Sequence, residues 1–446
     1  MVNVCDRWNR RKTDNLQYAF FNGVGYESWE NIWGIWNQIT PRDAEALRRL
    51  AKIERAFAGL LISQDWEPHT PTLRYGLFAS KFPGQGQTLW TIVNRNQYDL
   101  EGEQIEVPYH GGLRFYDLWH GEELQPEIRG DRAALSFEVE GEGFGAVLAQ
   151  DQEAAGAVAT LVADMKELSR TPLKSLSSEW HFLPQKLVEI PPTPPAASAP
   201  TGMVKIPEAD YAFRASGIMI EGGNDVGVDS QYPWEDAPRR YHLHRMHVKS
   251  FYIDKYPVTN ADFKRFLDGT HYHPRNDHNF LRDWQNGNYP DGWANKPVTW
   301  VSLEDARTYA TWAGKRLPHE WEWQCAAQGT DGRTYPWGNE WDSSAVPAPD
   351  KRREMREPTN VDAFPKGASP FGVMDLVGNV WQWTDEFVDE HTRAGILKGG
   401  SYYQPQGSLW YFPQAYRVNE HGKYLLMAPG KDRSGTLGFR CVVDAE

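Results

Sequence analysis

Seven short motifs dense in tryptophan, glycine and proline follow one another between Ser250 and Arg440, and they constrain the fold more than any other feature of the chain. They read SFYIDKYPVTN (250–260), KPVTWVSLEDA (296–306), GKRLPHEWEW (314–323), YPWGNEW (335–341), LVGNVWQWT (376–384), GGS (399–401) and GFR (438–440). Glycine and proline interrupt regular elements, so a domain of this kind is rich in loops. Aromatic rings then supply much of the burial. We therefore expect core positions for Trp300, Trp321, Trp323 and Trp337.

In this order, the motifs resemble those of the formylglycine-generating enzyme, or sulfatase-modifying factor, family over residues 203–443. The resemblance implies an α+β fold class with a C-type-lectin-like domain at the C-terminus. The family's enzymes use copper and oxygen to oxidise a cysteine of a sulfatase-like substrate, and two cysteines after the GGS motif carry that chemistry. Read without gaps, those positions hold Gln404 and Leu409 here. Neither an amide nor an isobutyl group replaces a thiolate as a ligand of Cu(I), so copper is not expected.

The resemblance also indicates a ligand pocket after the GGS motif. It places Ser401 and Trp383 among the residues that line the family's oxygen and substrate pocket, and Arg417 matches an arginine of the same segment. Aromatic rings nearby suit sugar rings and other flat ligands, although packing of an inserted segment explains them equally well. The leading hypothesis is a non-catalytic member of the family that binds a small molecule or a glycan. The pocket candidates are Ser401, Trp383, Tyr403, Gln404, Leu409, Trp410 and Arg417.

The segment GNVWQ (378–382) resembles a calcium-binding turn. In the family, carbonyl oxygens and one acidic side chain form this turn, and Gln382 stands here in place of the acid. Calcium takes six to eight oxygen ligands, so loss of a carboxylate weakens such a site. Asn379 and Gln382 are therefore candidates for a weak structural calcium site.

Histidines offer an alternative to thiolates as metal ligands. His242 and His244 alternate on a predicted strand and share a face, whereas His247 falls on the other face. A second group, His271, His273 and His278, lies in a predicted loop. The alternative function is a metal-dependent oxidoreductase of the same superfamily with non-cysteine ligands. The simpler interpretation is that these histidines are exposed or hydrogen-bonded, and the iron-binding H-x-x-x-H-x-E of related sulfoxide synthases does not occur in the sequence. Whether the chain is an enzyme stays open.

The first 150 residues differ from the rest. Thr40 and Pro41 predict a helix start, and Leu47, Leu50, Ile53 and Phe57 recur at helical spacing. Residues 1–70 resemble a remnant strand–helix unit of a glycosidase-like barrel, and residues 71–150, with six short β-rich runs, resemble the antiparallel β-sandwich that follows such a barrel. Catalytic carboxylates of a barrel come from several strand ends, so Glu27 and Glu30 are expected to be structural. The six runs are 73–80, 88–93, 104–107, 113–119, 134–139 and 143–148.

The remaining domain limits follow from composition. A helix is predicted over 151–168, and the proline-rich stretch 189–200 is expected to be a spacer and the main boundary. Residues 151–202 therefore form a helix and linker, and residues 203–446 the family-like domain. The abrupt start at Met1 and the partial barrel suggest a piece of a longer protein. There is no secretory signal in the sequence as given, which favours the cytoplasm unless translation begins upstream.

Charge and composition exclude two classes of partner. The net charge of −13 over 446 residues argues against nucleic acid, and the absence of an apolar run of roughly 18 residues argues against a membrane span. The three cysteines, Cys5, Cys325 and Cys441, are far apart in the sequence and do not form a zinc or disulfide pattern, so buried free thiols are expected at Cys325 and Cys441.

Overall fold

The computed structural model describes residues 4–6, 10–28, 39–151, 153–218, 230–347, 357–389, 393–403 and 414–446. The described residues divide into two compact units, the first ending at Phe182 and the second beginning at Leu183. Helices account for 21% of the residues and strands for 30%, which confirms the α+β class. Within the described ranges, no helix is both long and apolar enough to cross a membrane.

The first unit combines helices with short strands. Helix α2 begins at Pro41 as expected, because the Thr40 side chain accepts a hydrogen bond from Asp43 N. Leu50 and Ile53 on this helix are buried. The helices are α1 (Thr13–Phe21), α2 (Pro41–Ala56), α3 (Ala58–Leu61) and α4 (Gly156–Ser169). The strands are β1 (Val4–Asp6), β2 (Tyr26–Ser28), β3 (Glu67–Thr70), β4 (Leu77–Gly84), β5 (Gln87–Asn94), β6 (Glu103–Pro108), β7 (Arg114–Asp117), β8 (Glu122–Leu124), β9 (Glu127–Arg129), β10 (Arg132–Ser136) and β11 (Phe144–Gln150).

Two antiparallel sheets of the first unit share a core. One has the order β3-β4-β5-β11-β7-β8, and the other has the order β6-β10-β9. Trp90 from the first sheet and Leu135 from the second belong to the same buried cluster. Each of the six predicted runs overlaps an observed strand, so the β-rich pattern was read correctly. Strands β1 and β2 form a separate parallel pair with α1 between them in the chain, and the barrel-remnant interpretation of this segment stays a prediction.

The proline-rich stretch belongs to the second unit. The division between the units falls after Phe182, earlier than the boundary expected at 189–200. Thr193 N donates to Asp444 Oδ2 at 2.6 Å, and Asp444 N donates to Thr193 Oγ1 at 2.8 Å. Ala196 N donates to Asp444 O at 2.8 Å. This stretch is therefore hydrogen-bonded to the C-terminal strand instead of forming an open spacer.

The second unit contains two sheets. The larger has the order β12-β17-β18-β19-β14-β15, with β20 paired to β17, and the smaller has the order β13-β16-β21. The helices are α5 (Asn260–Thr270), α6 (Leu303–Trp312), α7 (Glu320–Gln328) and α8 (Pro429–Asp432). The strands are β12 (Lys186–Leu187), β13 (Met203–Ile206), β14 (Ala209–Gly217), β15 (Tyr241–Val248), β16 (Phe251–Asp254), β17 (Trp381–Val388), β18 (Arg393–Lys398), β19 (Glu420–Leu425), β20 (Leu437–Gly438) and β21 (Val442–Asp444).

The four tryptophans expected in the core divide into two groups. Trp323 has no exposed surface, which confirms the expectation for that residue. Trp321 and Trp337 are half-buried at the edge of the same cluster. Trp300 is also half-buried, and its Nε1 donates to Asp283 Oδ2 at 2.8 Å. Tryptophan fits a fully buried site, and it also fits a half-buried site in which its polar Nε1 edge finds a partner. The motif pattern alone therefore does not distinguish the buried Trp323 from the three half-buried tryptophans.

The cysteine expectation is confirmed for both residues of the second unit. Cys325 and Cys441 are buried free thiols. Burial raises the pKa of Cys325 to about 12 and also raises the pKa of Cys441. Both groups are therefore neutral thiols near neutral pH, and neither has the thiolate character that nucleophilic or copper chemistry needs.

The buried Arg440 of the GFR motif connects three parts of the second unit. Its Nε donates to Gln382 Oε1 at 2.6 Å, and its Nη1 donates to the carbonyl oxygen of Asp254 at 3.0 Å. Its Nη2 donates to the carbonyl oxygens of Met374 and Asp375 at 2.8 and 2.9 Å. Carbonyl groups in a loop-rich core need partners, and one guanidinium satisfies several of them.

A histidine–aspartate pair joins α7 to β17. His319 Nδ1 is 2.7 Å from Asp385 Oδ1, and Glu320 N donates to Asp385 Oδ2 at 2.6 Å. The His319 ring stacks on Trp321 with a centroid separation of 4.2 Å. Burial alone would lower the pKa of His319, but Asp385, assisted by Glu322 and opposed by Arg316, raises it above the ordinary value of 6.5.

Replacement of Arg440 by alanine should destabilise the second unit by about 3–5 kcal/mol, because the carbonyl groups and Gln382 lose their buried donor. Urea unfolding followed by tryptophan fluorescence measures this change. The matched control is Arg265→Ala on α5, where the side chain is 70% exposed and pairs with Asp262, and the expected cost is below about 1 kcal/mol. Equal losses in the two variants would contradict the structural role given to Arg440.

The His319–Asp385 pair should make stability depend on pH in a defined direction. Because the pKa of His319 is raised in the folded state, its contribution is complete below 6.5 and is lost as the pH rises through the folded pKa. The urea midpoint of the native protein should therefore fall between about pH 6 and about pH 8 more steeply than that of His319→Gln. All other titrating groups are common to the two proteins, so identical slopes would contradict this prediction.

Candidate functional site

A short segment at the end of the GGS motif, residues 401–403, is held in place by hydrogen bonds to residues 414–416. Ser401 N donates to Gln414 Oε1 at 2.8 Å, and Gln414 Nε2 donates to Tyr403 O at 2.7 Å. The Tyr416 hydroxyl donates to Ser401 O at 2.9 Å. This segment is therefore preorganised by side chains that come from a later part of the chain.

Both glycines of the motif are required by close packing. Gly399 has a φ of +91°, and a Cβ there would lie 2.2 Å from Leu376 O. Gly400 has a φ of +67°, and its Cβ would lie 2.8 Å from the Tyr416 ring. Other residues rarely adopt such backbone angles, and neither position has room for a side chain. The glycine pair is therefore needed for the backbone conformation of this segment.

An aromatic platform lies beside this segment, and it consists of Tyr335, Trp337, Trp341 and Tyr416. Trp341 stacks on Tyr416 with a centroid separation of 5.5 Å, and Tyr335 stacks on Trp337 at 5.1 Å. Trp337 and Trp341 meet edge to face at 5.9 Å. Trp341 is 44% exposed. The sequence analysis missed Trp341 as a candidate, although three aromatic residues within the seven-residue motif YPWGNEW were a usable signal.

Six of the seven pocket candidates from the sequence fall into three groups. Ser401 and Tyr403 belong to the segment that adjoins the platform. Arg417 is exposed. Burial raises the pKa of Glu420, and the positive charge of Arg417 offsets part of that rise. Gln404, Leu409 and Trp410 lie outside the described residues.

Trp383 needs a correction. The side chain has no exposed surface, packs in the core with Tyr424, and lies so close to Gly395 that a Cβ there would be 2.8 Å from the ring. Its Nε1 lies 3.4 Å from Val301 O. Alternate residues of β17 face opposite sides of the sheet, and Trp383 faces a side that α6 and its neighbours cover. It supports the sheet and does not line an open pocket.

The amides of the predicted calcium turn are occupied by protein partners. Gln382 Oε1 accepts from Trp323 Nε1 at 2.8 Å and from Arg440 Nε at 2.6 Å, and Gln382 Nε2 donates to Asp375 O at 3.0 Å. Asn379 Oδ1 accepts from Thr359 N at 3.0 Å. The cation next to Gln382 is a guanidinium, and Gln382 Oε1 already accepts two hydrogen bonds, which uses both of its lone pairs. Gln382 is therefore not placed to bind calcium, whereas Asn379 Oδ1 accepts one hydrogen bond, and calcium at this turn stays a prediction.

The histidines form a buried pair and several surface positions. His242 and His244 lie on one face of β15 and His247 on the other, as the alternation predicts. His247 Nδ1 is 3.0 Å from Asp210 Oδ1, and His244 stacks on Trp234 at 4.3 Å. The loop histidines are exposed, namely His271, His273 and His278. Across the described ranges, no group of three or more His, Cys, Asp or Glu side chains is arranged to hold a metal ion.

His242 instead lies next to a histidine that the sequence analysis did not single out, His421 on β19. Their ring centroids are 5.5 Å apart. Glu320 Oε1 is 2.7 Å from His421 Nδ1 and accepts from Lys398 Nζ at 3.0 Å, and Glu320 Oε2 accepts from the Tyr232 hydroxyl. Burial would raise the pKa of Glu320, but the adjoining His421 and Lys398 hold it below its ordinary value. This carboxylate is therefore ionised in the core.

Comparisons with known proteins agree with the motif pattern. A family profile described as "Sulfatase-modifying factor enzyme 1-like domain" matches residues 197–445. The formylglycine-generating enzyme of Bos taurus is 27% identical over 308 residues, covering 55% of this chain and 76% of that protein. The formylglycine-generating enzyme of Mycobacterium tuberculosis is 29% identical and is covered over 97% of its length.

One of the similar proteins has a name that marks it as inactive. "Inactive C-alpha-formylglycine-generating enzyme 2" of Bos taurus is 32% identical over 279 residues, covering 51% of this chain and 88% of that protein. Among solved structures, that of CarF aligns with 55% of this chain and 99% of its own length at 17% identity and a TM-score of 0.38. The profile match spans more than half of the chain, and on this ground the chain belongs to the sulfatase-modifying factor family.

Proposed function

We propose that this protein is a non-catalytic member of the family that binds a small molecule or glycan through its aromatic platform. The observation that carries the proposal is the arrangement around Trp341. Its ring is 44% exposed and stacks on Tyr416, whose hydroxyl in turn donates to Ser401 O. An exposed indole is thus held rigidly next to the segment that the family uses for its substrate.

The thiol chemistry of the described residues supports a binding function. Read without gaps after the GGS motif, the places of the family's two cysteines hold Gln404 and Leu409. Cys325 and Cys441 cannot replace them, because burial raises the pKa of both thiols. The similar proteins include enzymes and one protein named inactive, so family membership is compatible with a binding function.

The chemistry of the platform favours an uncharged ring-shaped ligand. Flat aromatic faces bind the apolar faces of sugar rings, and hydroxyl or amide groups at the rim give orientation. Asn339, which is exposed, and Ser344, which is also exposed, supply such groups within the same stretch of chain as Trp341. A C-type-lectin-like arrangement of this domain and a glycosidase-derived β module before it are part of the same proposal. A net charge of −13 disfavours polyanionic ligands.

Screening of the whole chain against a glycan panel should identify a saturable ligand, and Trp341→Ala should weaken its binding by about tenfold or more, because a stacked ring contributes about 0.5–1.5 kcal/mol beyond its buried area. Isothermal titration gives both affinities. The matched control is Trp312→Ala, because Trp312 is 45% exposed and lies on α6, in an open groove between α5 and α6.

The two tryptophan variants separate the outcomes. Weakening by Trp341→Ala alone supports the platform. Weakening by Trp312→Ala alone would move the ligand to the groove and contradict the proposal, and a panel without any saturable ligand would also contradict it.

Copper-loaded protein should leave a peptide with the sulfatase-type cysteine motif unchanged, because no described thiol is available as a thiolate ligand. Mass spectrometry of the peptide after incubation in air is the measurement, and an active formylglycine-generating enzyme is the positive control. Conversion of the peptide's cysteine to an aldehyde would show that the family's chemistry persists and would overturn the non-catalytic proposal.

A further inference from the structure

Two buried histidines meet on one face of the larger sheet in the second unit. His421 on β19 lies opposite Gly217 of β14, and His242 on β15 lies opposite Ala215 of the same strand. Alternate residues of a strand share a face, so both histidines lie on the same side of the sheet. The two intervening residues of β14 are small, and the imidazole centroids approach to 5.5 Å.

A glutamate holds the Nδ1 atom of each ring. The Nδ1 atoms of His421 and His242 are 2.7 Å from Glu320 Oε1 and 2.8 Å from Glu235 Oε1, respectively. A carboxylate accepts, so each Nδ1 carries the proton, and the lone pair of the neutral ring is then on Nε2. Histidines that bind metals have this same arrangement, in which a carboxylate on one nitrogen orients the other nitrogen as the ligand.

Both Nε2 atoms are buried and have no hydrogen-bond partner among the described residues. His242 is 3% exposed and His421 is 0% exposed. Buried polar atoms without partners are rare and cost free energy. A histidine with a purely structural function in a core uses both nitrogens, whereas these two leave the same nitrogen free at neighbouring positions.

We propose that His242 and His421 bind one transition-metal ion of the zinc or copper class through their Nε2 atoms. If each ring centre lies roughly 3.1 Å from a metal on Nε2, the separation of 5.5 Å corresponds to an angle at the metal of roughly 125°. This angle lies in the range of trigonal and tetrahedral coordination. Imidazole nitrogen is a suitable ligand for both metals. The pair shares no residue with the aromatic platform, so this site is independent of the proposed function.

The test uses the whole chain, stripped with a chelator, loaded with Zn²⁺ or with Cu⁺ under reducing conditions, and desalted. Plasma mass spectrometry should find about one tightly bound ion per chain, and X-ray absorption should show imidazole nitrogens around it. His242→Gln and His421→Gln should each lose this ion. Glu235→Gln, which leaves both ligands in place, should weaken the affinity by roughly 10–100-fold because the carboxylate orients His242.

The control is His244→Gln, since His244 lies on the same face of the same strand and stacks on Trp234. This variant should keep the ion with unchanged affinity. Circular dichroism checks that each variant is folded, and His242→Gln carries the test if His421→Gln does not fold. A native protein without a tightly bound ion, retention of the ion by His242→Gln, or its loss in His244→Gln would each overturn the proposal, and the pair would then hold only water.

Discussion

The second unit depends on one buried carboxylate, that of Glu320 at the start of α7. It binds Lys398 from β18, His421 from β19 and the Tyr232 hydroxyl, and so joins the helix to neighbouring strands of the larger sheet. Two charged groups in a core are costly to desolvate, and their attraction offsets that cost only when the remaining hydrogen bonds are complete. Here both carboxylate oxygens have donors, so the network fixes the position of α7 against the sheet. The position of α7 in turn sets those of Trp323 and Gln382, which are hydrogen-bonded to each other at 2.8 Å.

Elsewhere in the second unit, hydrogen bonds between side chains and backbone stabilise the loops, because long helices and strands are few. Capping boxes begin α5 and α6, Arg440 satisfies carbonyls of separate loops, and Gln414 and Tyr416 hold the segment after the GGS motif. A loop-rich core has the same need for satisfied carbonyls and amides as a sheet, but it must find each partner separately. This requirement explains why polar residues such as Gln382 and Arg440 are fully buried in a domain whose motifs are rich in aromatic and glycine residues.

Local rules explain which expectations were correct. The helix start at Thr40 and Pro41 and the shared face of His242 and His244 depend only on near neighbours, and both are observed. The partner of His242 could not be predicted, because His421 reaches it through the pairing of β14 with two strands from distant parts of the sequence. Trp383 was misplaced for a similar reason: its neighbours Gly395 and Tyr424 come from other strands, and only their packing shows that the ring is enclosed. The proline-rich stretch has a spacer composition, yet Asp444 binds it to the C-terminal strand.

At the GGS motif, the residues that determine the backbone conformation differ from those that would determine the reaction. Gly399 and Gly400 are needed because Leu376 O and the Tyr416 ring occupy the space of any side chain, and this need is the same whether or not a thiolate follows. The motif therefore identifies the backbone path and with it the family, while the reaction depends on the side chains at the next few positions. The two can vary separately, because Leu376 O and the Tyr416 ring fix the glycines, whereas function resides in site residues carried on a fold. Tyr416 also stacks on Trp341, whose ring is 44% exposed, so the ring that excludes a side chain at position 400 is also part of the platform on which the proposed binding function rests.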